Sequence, residues 1–242
     1  MIQIEQLTKS FGKFKALDDI SLEFHKARAV SLLGPNGSGK TTLIKSILGL
    51  VIPQRGIIRI GGEVVRKDWN YRSAIGYMPQ IGRYPGNMTI GQVVSMIKEI
   101  RKGYTDYDEE LWYGFGLEQI RGKAMHELSG GTRQKVSACL AFLFRPDIYI
   151  LDEPTAGLDP LSSELLKEKI IRETEAGKLI LITSHVLSDL EGIASHIAYL
   201  QDGKLIFYKS VSELQAATGH EKLNKVIAQV MKTGIPALNE NP

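Results

Sequence analysis

The order of apolar and polar positions marks out the elements before composition is considered. Residues 2–7 alternate apolar and polar side chains, the period of a strand with one buried face. Residues 29–33 are a short apolar run stopped by Gly34, as expected of a strand buried on both faces. The period then lengthens. Leu43, Ile44, Ile47 and Leu48 mark one face of a helix over residues 41–50, with Gly49 placed to end it. Residues 56–60 and 63–65 predict two strands joined by Gly61-Gly62. Thr89 and Gln92 have capping-box spacing ahead of Val93, Val94, Met96, Ile97 and Ile100, which fall mostly at helical intervals. After Glu127 strands and helices alternate: residues 147–151 and 179–183 predict strands, residues 161–174 and 187–197 helices. Leu223, Val226, Ile227 and Val230 fall at i, i+3, i+4 and i+7, a short amphipathic helix, and residues 236–242, without pattern, are expected to fray.

Apolar strands alternating with helices argue for an α/β chain whose mostly parallel sheet carries helices on both faces. A helical insert near residues 81–135 interrupts it, and the strand pair near residues 56–65 forms a small antiparallel β subdomain. Composition fits a folded chain. Of 242 residues, 43% are apolar and 24% charged, which excludes a mainly disordered or fibrous protein. A net charge of +3 is too even to imply nucleic acid or a membrane surface as partner. The single cysteine, Cys139, excludes a disulfide scaffold and a cysteine-built zinc site, and reads as a small buried residue. The histidines at 25, 126, 185, 196 and 220 show no metal-ligand spacing. The first residues lack the basic-then-apolar run of a signal peptide, and the longest apolar run, residues 138–144, falls far short of the roughly 18–20 residues of a spanning helix. A cytoplasmic chain that meets a membrane only through another chain is expected.

The chemistry begins at Gly34-Pro35-Asn36-Gly37-Ser38-Gly39-Lys40-Thr41, a G-x-x-x-x-G-K-[ST] loop between a predicted strand and a predicted helix. Backbone N–H groups must come close to phosphate oxygens, and glycines permit both the approach and the dihedrals it requires. The following helix turns its N-terminal N–H groups and positive dipole end to the anion. In such a loop Lys40 reaches the β- and γ-phosphates and the Thr41 hydroxyl ligates Mg²⁺. Residues 148–153 are an apolar strand ending in two carboxylates. Asp152 is placed to hold the Mg²⁺ shell, and Glu153 to polarise an attacking water as general base. Leu128-Ser129-Gly130-Gly131-Thr132 opens a further helix with a good N-cap and two glycines, a second anion site. One small domain has no need of two γ-phosphate sites unless two copies share nucleotides.

These residues resemble the nucleotide-binding subunit of ATP-binding-cassette (ABC) transporters, over roughly residues 1–215, leaving residues 216–242 as a short C-terminal helix and tail. Residues 34–42, through Thr42, match the Walker A motif. Residues 148–153 match Walker B with its catalytic glutamate, and residues 128–132 the signature motif. Gln80 stands at the Q-loop, residues 156–159 at the D-loop and His185 at the switch histidine. Phe11 stands where the family stacks an aromatic ring on adenine. Thr132 replaces the usual glutamine and Phe11 the commoner tyrosine, keeping the ring face and losing a hydroxyl.

The resemblance implies a P-loop NTPase fold, ATP and Mg²⁺ as cofactors, and ATP hydrolysis driving transport. It implies a homodimer that sandwiches two ATP molecules, each between one copy's residues 34–42 and the other copy's Ser129, Gly130 and Gly131. Glu153, His185 and Gln80 are then catalytic, and Thr41, Gln80 and Asp152 hold the metal. The partner is a transmembrane permease, with the subunit peripheral on the inner face of the cell membrane and no nucleic acid involved. The segment 158–160 and the short C-terminus look like the exporter-type ABC-2 group, and the chain looks somewhat like subunits of copper-processing systems. A soluble cassette ATPase of DNA repair or translation is the alternative, although such relatives usually carry two cassettes or a long coiled-coil insert. A P-loop kinase or GTPase has no use for residues 128–132. Tyr84-Pro85 and Trp112, Tyr113 and Phe115 are expected to pack the helical insert or line a partner groove, and Asp106, Asp108, Glu109 and Glu110 to form a solvated face.

Overall fold

The computed structural model describes residues 2–65, 69–184 and 186–233. In chain order these form β1 (Ile2–Phe11), β2 (Phe14–Phe24), β3 (Arg28–Leu33), α1 (Lys40–Ile47), β4 (Arg55–Ile60), β5 (Glu63–Val64), β6 (Ile75–Met78), α2 (Ile90–Ile100), α3 (Glu110–Gly114), α4 (Gly130–Phe142), β7 (Ile148–Asp152), α5 (Pro160–Glu175), β8 (Leu179–Thr183), β9 (His196–Gln201), β10 (Lys204–Ser210), α6 (Val211–Thr218) and α7 (Leu223–Thr233). They fall into two compact units, residues 1–68 with 183–242, and residues 69–182.

In the first unit β1 lies antiparallel between β2 and β4, with β5 on the outer edge of β4. Asp19 and Gln6 sit in the left-handed region, at φ 56° and 49°, and the β1–β2 register shifts beside them. These irregularities break the alternation that would have announced β2 as a strand. A second set of strands joins β3 in parallel to β9, from Val30 opposite His196 to Leu33 opposite Tyr199, and β10 returns antiparallel on β9. Ile2, Leu7, Leu17, Ile20, Phe24, Leu32, Leu43 and Ile47 are fully buried here. The C-terminal helix is found as its spacing predicts: Leu223, Val226, Ile227 and Val230 are buried. The expected fraying of residues 236–242 lies outside the described residues.

The helix expected over residues 187–197 is not there. A 3₁₀ turn, Leu187–Leu190, is followed by β9 from His196. Gly192 adopts φ 77°, which ends any helix, and the Ser195 N–H donates to the Ala29 carbonyl at 2.8 Å, starting the chain along β3. The apolar residues that suggested a helix face are shared between the turn and a buried parallel strand.

In the second unit β6 pairs in parallel with β7, Ile75 opposite Ile148 through Met78 opposite Leu151, and β8 is the next neighbour of β7. The capping box at α2 forms as the spacing predicts, with the Thr89 hydroxyl accepting from the Gln92 N–H and the Gln92 side chain from the Thr89 N–H. Helix α4 lies tight on β6. A Cβ on Gly76 would stand 2.1 Å from the Ala141 carbonyl oxygen, so only glycine fits. Phe142 stacks on Tyr149, ring centroids 4.4 Å apart.

Of the acidic patch, Asp106 and Glu110 are exposed and Glu109 half-buried, but Asp108 is not part of a solvated face. Asp108 is buried and accepts from Lys169 Nζ at 2.6 Å, and Lys169 also meets Glu110 at 2.9 Å and Glu173 at 3.0 Å. Burial pulls the Lys169 ammonium towards neutrality, but hydrogen bonds to Asp108, Glu110 and Glu173 more than reverse this, leaving it raised. Phe115 is buried and the half-buried Trp112 donates to Glu118 at 2.8 Å, so both pack the helical region, while Tyr113 is exposed. Among the described residues no helix is long and apolar enough to cross a membrane.

Candidate active site

The phosphate loop belongs to the first unit. Buried β3 delivers the chain to Gly34, whose φ of 144° suits glycine and whose Cβ, if present, would stand 2.0 Å from the Leu200 carbonyl oxygen. Gly39 repeats the pattern at φ 108° with the Ala16 carbonyl 2.5 Å away. The Ser38 N–H donates to the Pro35 carbonyl at 3.2 Å, closing the turn over Asn36 and Gly37. Gly39 is the N-cap of α1 and brings no capping side chain, the arrangement that suits an anion at a helix start. Lys40 Nζ donates to the carbonyl oxygens of Gly34 at 2.7 Å and Pro35 at 3.0 Å, with Ser38 Oγ at 3.4 Å. Pro35, Asn36, Gly37 and Thr41 are exposed and Thr42 half-buried. Phe11 is 52% exposed, in register with Phe14, and Lys9 Nζ stands 5.1 Å from its ring centre.

The carboxylates and the serine–diglycine tip belong to the second unit. Strand β7 is buried through Leu151, leaving Asp152 half-buried and Glu153 8% exposed. Glu153 takes φ 53°, a left-handed conformation costing a side-chain-bearing residue about 1–3 kcal/mol. Its carbonyl oxygen accepts from the Ala156 N–H at 3.1 Å and from Gln134 Nε2 at 3.0 Å. Burial first, and then the Asp152 charge, push the Tyr77 hydroxyl up.

Ser129 caps α4, its Oγ accepting from the Thr132 N–H at 3.2 Å and pairing with the Thr132 hydroxyl at 2.9 Å. Thr132 thus reinforces the cap. Ser129 and Gly130 are exposed. The two glycines differ: a Cβ on Gly130 would meet nothing within 4 Å, whereas one on Gly131 would stand 2.4 Å from the Gly157 carbonyl oxygen. Packing explains Gly131, whereas Gly130 stands open. Asp159 caps α5 through Ser162 and pairs with Lys135 at 2.7 Å. Lys135, then the Ser162 N–H and hydroxyl, hold the Asp159 carboxyl well below the usual range.

Gln80 is exposed beyond β6, in the segment whose Tyr84 hydroxyl pairs with Ser137 Oγ of α4 at 2.9 Å. His185 lies outside the described residues. The predicted residues therefore group as the loop with Phe11 in one unit and Gln80, Ser129–Gly131, Asp152 and Glu153 in the other. Sequence reasoning passed over Gln134 and Lys135. Their only signal is spacing, since with Gly131 they occupy i, i+3 and i+4 of one helix face. Of the residues expected to hold Mg²⁺, Thr41 carries a hydroxyl, Gln80 an amide and Asp152 a carboxylate, each a hard oxygen donor of the type that Mg²⁺ takes.

A family profile described as ABC transporter matches residues 17–156. The chain is 34% identical over 227 residues to the ABC transporter ATP-binding protein YhaQ of Bacillus subtilis, covering 92% of this chain and 76% of that protein. Among solved structures, an ATP-binding subunit of an ABC transporter superposes with a TM-score of 0.88 at 27% identity, over 96% of this chain and 99% of that one. A bacterial ABC transporter cassette solved as a dimer gives 0.78 at 25% identity, over 87% and 99%. The loop, the Asp152–Glu153 strand end and the capped serine–diglycine tip thus sit in the P-loop fold of those cassettes, and the chain belongs to the ABC transporter family, among its ATP-binding, ATP-hydrolysing subunits.

Proposed function

We propose that two copies of this chain enclose two ATP molecules and, by hydrolysing them, drive a separate membrane-spanning permease. The loop amides of residues 34–42 and Lys40 grip the triphosphate, and Phe11 stacks on the adenine. Ser129, Gly130 and Gly131 of the second copy close over the γ-phosphate. Thr41, Gln80 and Asp152 are the residues that would hold Mg²⁺, which when bound offsets phosphate charge. Glu153 accepts a proton from the attacking water and aims it in line with the γ-phosphorus, and His185 contacts the γ-phosphate. Hydrolysis removes the bridging charge, so the two copies part.

The observation that carries this reading is the tip of α4. Gly130 is open where no internal packing calls for a glycine, beside an exposed, capped Ser129, as an approaching phosphate requires. The segment 158–160 supports an exporter-type permease, and a copper-processing system is the narrower possibility within that reading. The permease, contacting the cargo, sets the substrate and holds the subunit at the inner face of the membrane. The test is Glu153→Gln with ATP and Mg²⁺ on a sizing column. A species of twice the monomer mass that persists with ATP and dissolves in wild type supports the reading. A monomer at saturating ATP removes the shared-nucleotide site, and recovery of the chain with ribosomes instead of membranes removes the permease.

A further inference from the structure

We propose that Gln134 is a positioning residue for Glu153, acting through the backbone. The inference rests on the reading of Glu153 as the general base. Gln134 lies on α4, 5% exposed, and a buried amide must find a partner. Its Nε2 donates to the Glu153 carbonyl oxygen at 3.0 Å, and the Ala156 N–H donates to the same oxygen at 3.1 Å. Two donors of different origin fix the plane of the peptide that leaves Glu153. The chain enters Glu153 from β7, whose register with β6 runs as far as Leu151 opposite Met78. With a paired strand just before it and its carbonyl anchored after it, Glu153 is kept in a left-handed conformation that it would not adopt by preference, and its Cα–Cβ direction follows.

The same face of α4 makes two further contacts with this loop. Gly131 abuts the Gly157 carbonyl and Lys135 pairs with Asp159 at 2.7 Å. Gln134 is the member of the three whose contact reaches Glu153 itself. The helix that offers its tip to the second copy's nucleotide therefore holds, by its flank, the base that serves its own.

The experiment is a double-mutant cycle of ATP turnover in the full chain: wild type, Gln134→Met, Glu153→Gln and the pair. Methionine matches glutamine in length and cannot donate. Gln134→Met is expected to lower kcat by between about tenfold and about a hundredfold, the scale of a misplaced reacting group, with KM and the affinity for a fluorescent ATP analogue kept. In the Glu153→Gln background it is expected to cause no further loss, because there is no base left to misplace. Wild-type kcat in Gln134→Met, a raised KM at unchanged kcat, or an equal loss with and without Glu153 would each overturn the positioning role. Wild-type turnover in Glu153→Gln would instead remove the base assignment, a separate failure read from a separate variant. Should Gln134→Met not fold, Gln134→Asn, an amide one methylene short of the carbonyl, takes its place in the cycle with the same expectations.

Discussion

The phosphate loop and the tip of α4 both bring glycines to a helix start, yet they are rigid for opposite reasons. In the loop the backbone holds itself: Gly34 and Gly39 adopt positive φ against neighbouring carbonyls, and Lys40 bonds back onto the loop it follows. At α4 side chains do the holding. Ser129 and Thr132 cap the end, Gly131 packs on Gly157, and Gln134 and Lys135 tie the flank to residues 153–159. A loop fixed by its own sterics tolerates change poorly at the glycines themselves. A tip fixed by its flank is vulnerable at positions that touch no nucleotide.

Gly34→Ala tests the first half most severely. It adds a Cβ against the Leu200 carbonyl and forces an L side chain to φ 144°, so destabilisation of about 2–5 kcal/mol is expected, with ATP binding lost in calorimetry. Lys40→Ala should leave the melting temperature nearly unchanged and weaken ATP by about 1.5–3 kcal/mol, roughly ten- to a hundredfold, because a charge-assisted contact is removed. A matching loss of stability would mean that Lys40 holds the loop together. Gly131→Ala meets an obstacle without the dihedral penalty, so a cost of about 1–3 kcal/mol is expected, with turnover falling more than nucleotide affinity. Equal losses in both would erase the distinction between the two regions.

Lys135→Met should be the mildest, with near-wild-type turnover at neutral pH. Its effect belongs to acid. The folded Asp159 carboxyl lies below its ordinary 3.8, so its contribution is complete above that value and is lost as the pH falls towards the folded one. Without Lys135 the folded value moves back towards 3.8, so the window narrows and the variant loses less stability between neutral pH and acid than the wild type does, which acid-unfolding curves of the two proteins would show.

The same contrast decides what can be read from the chain. Residues 34–41 were legible because spacing and glycine content dictate a local backbone path, and the α7 face because its four apolar residues keep one period. Ser129 was legible as a cap, since capping is settled within three residues. Gln134 was not, because its partner is 19 residues away and nothing in a polar residue on a helix says which way it faces. Asp108 misled for the same reason: an aspartate among acidic neighbours reads as solvated until Lys169, 61 residues on, is folded against it. Residues 187–197 misled because apolar spacing alone does not separate a helix from a turn feeding a buried strand, and Gly192 was the overlooked sign.

The back wall of the phosphate loop is made by residues far downstream. The Leu200 carbonyl stands where a Gly34 side chain would go, the Gly203 N–H donates to the Ser38 carbonyl at 3.2 Å, and the Gly203 carbonyl accepts from Asp18 at 2.8 Å. No ribosome-bound nascent chain can therefore complete this loop until the β9–β10 hairpin has emerged, and a truncated cassette ending before residue 203 should carry the full motif in its sequence yet lack the surface that shapes it.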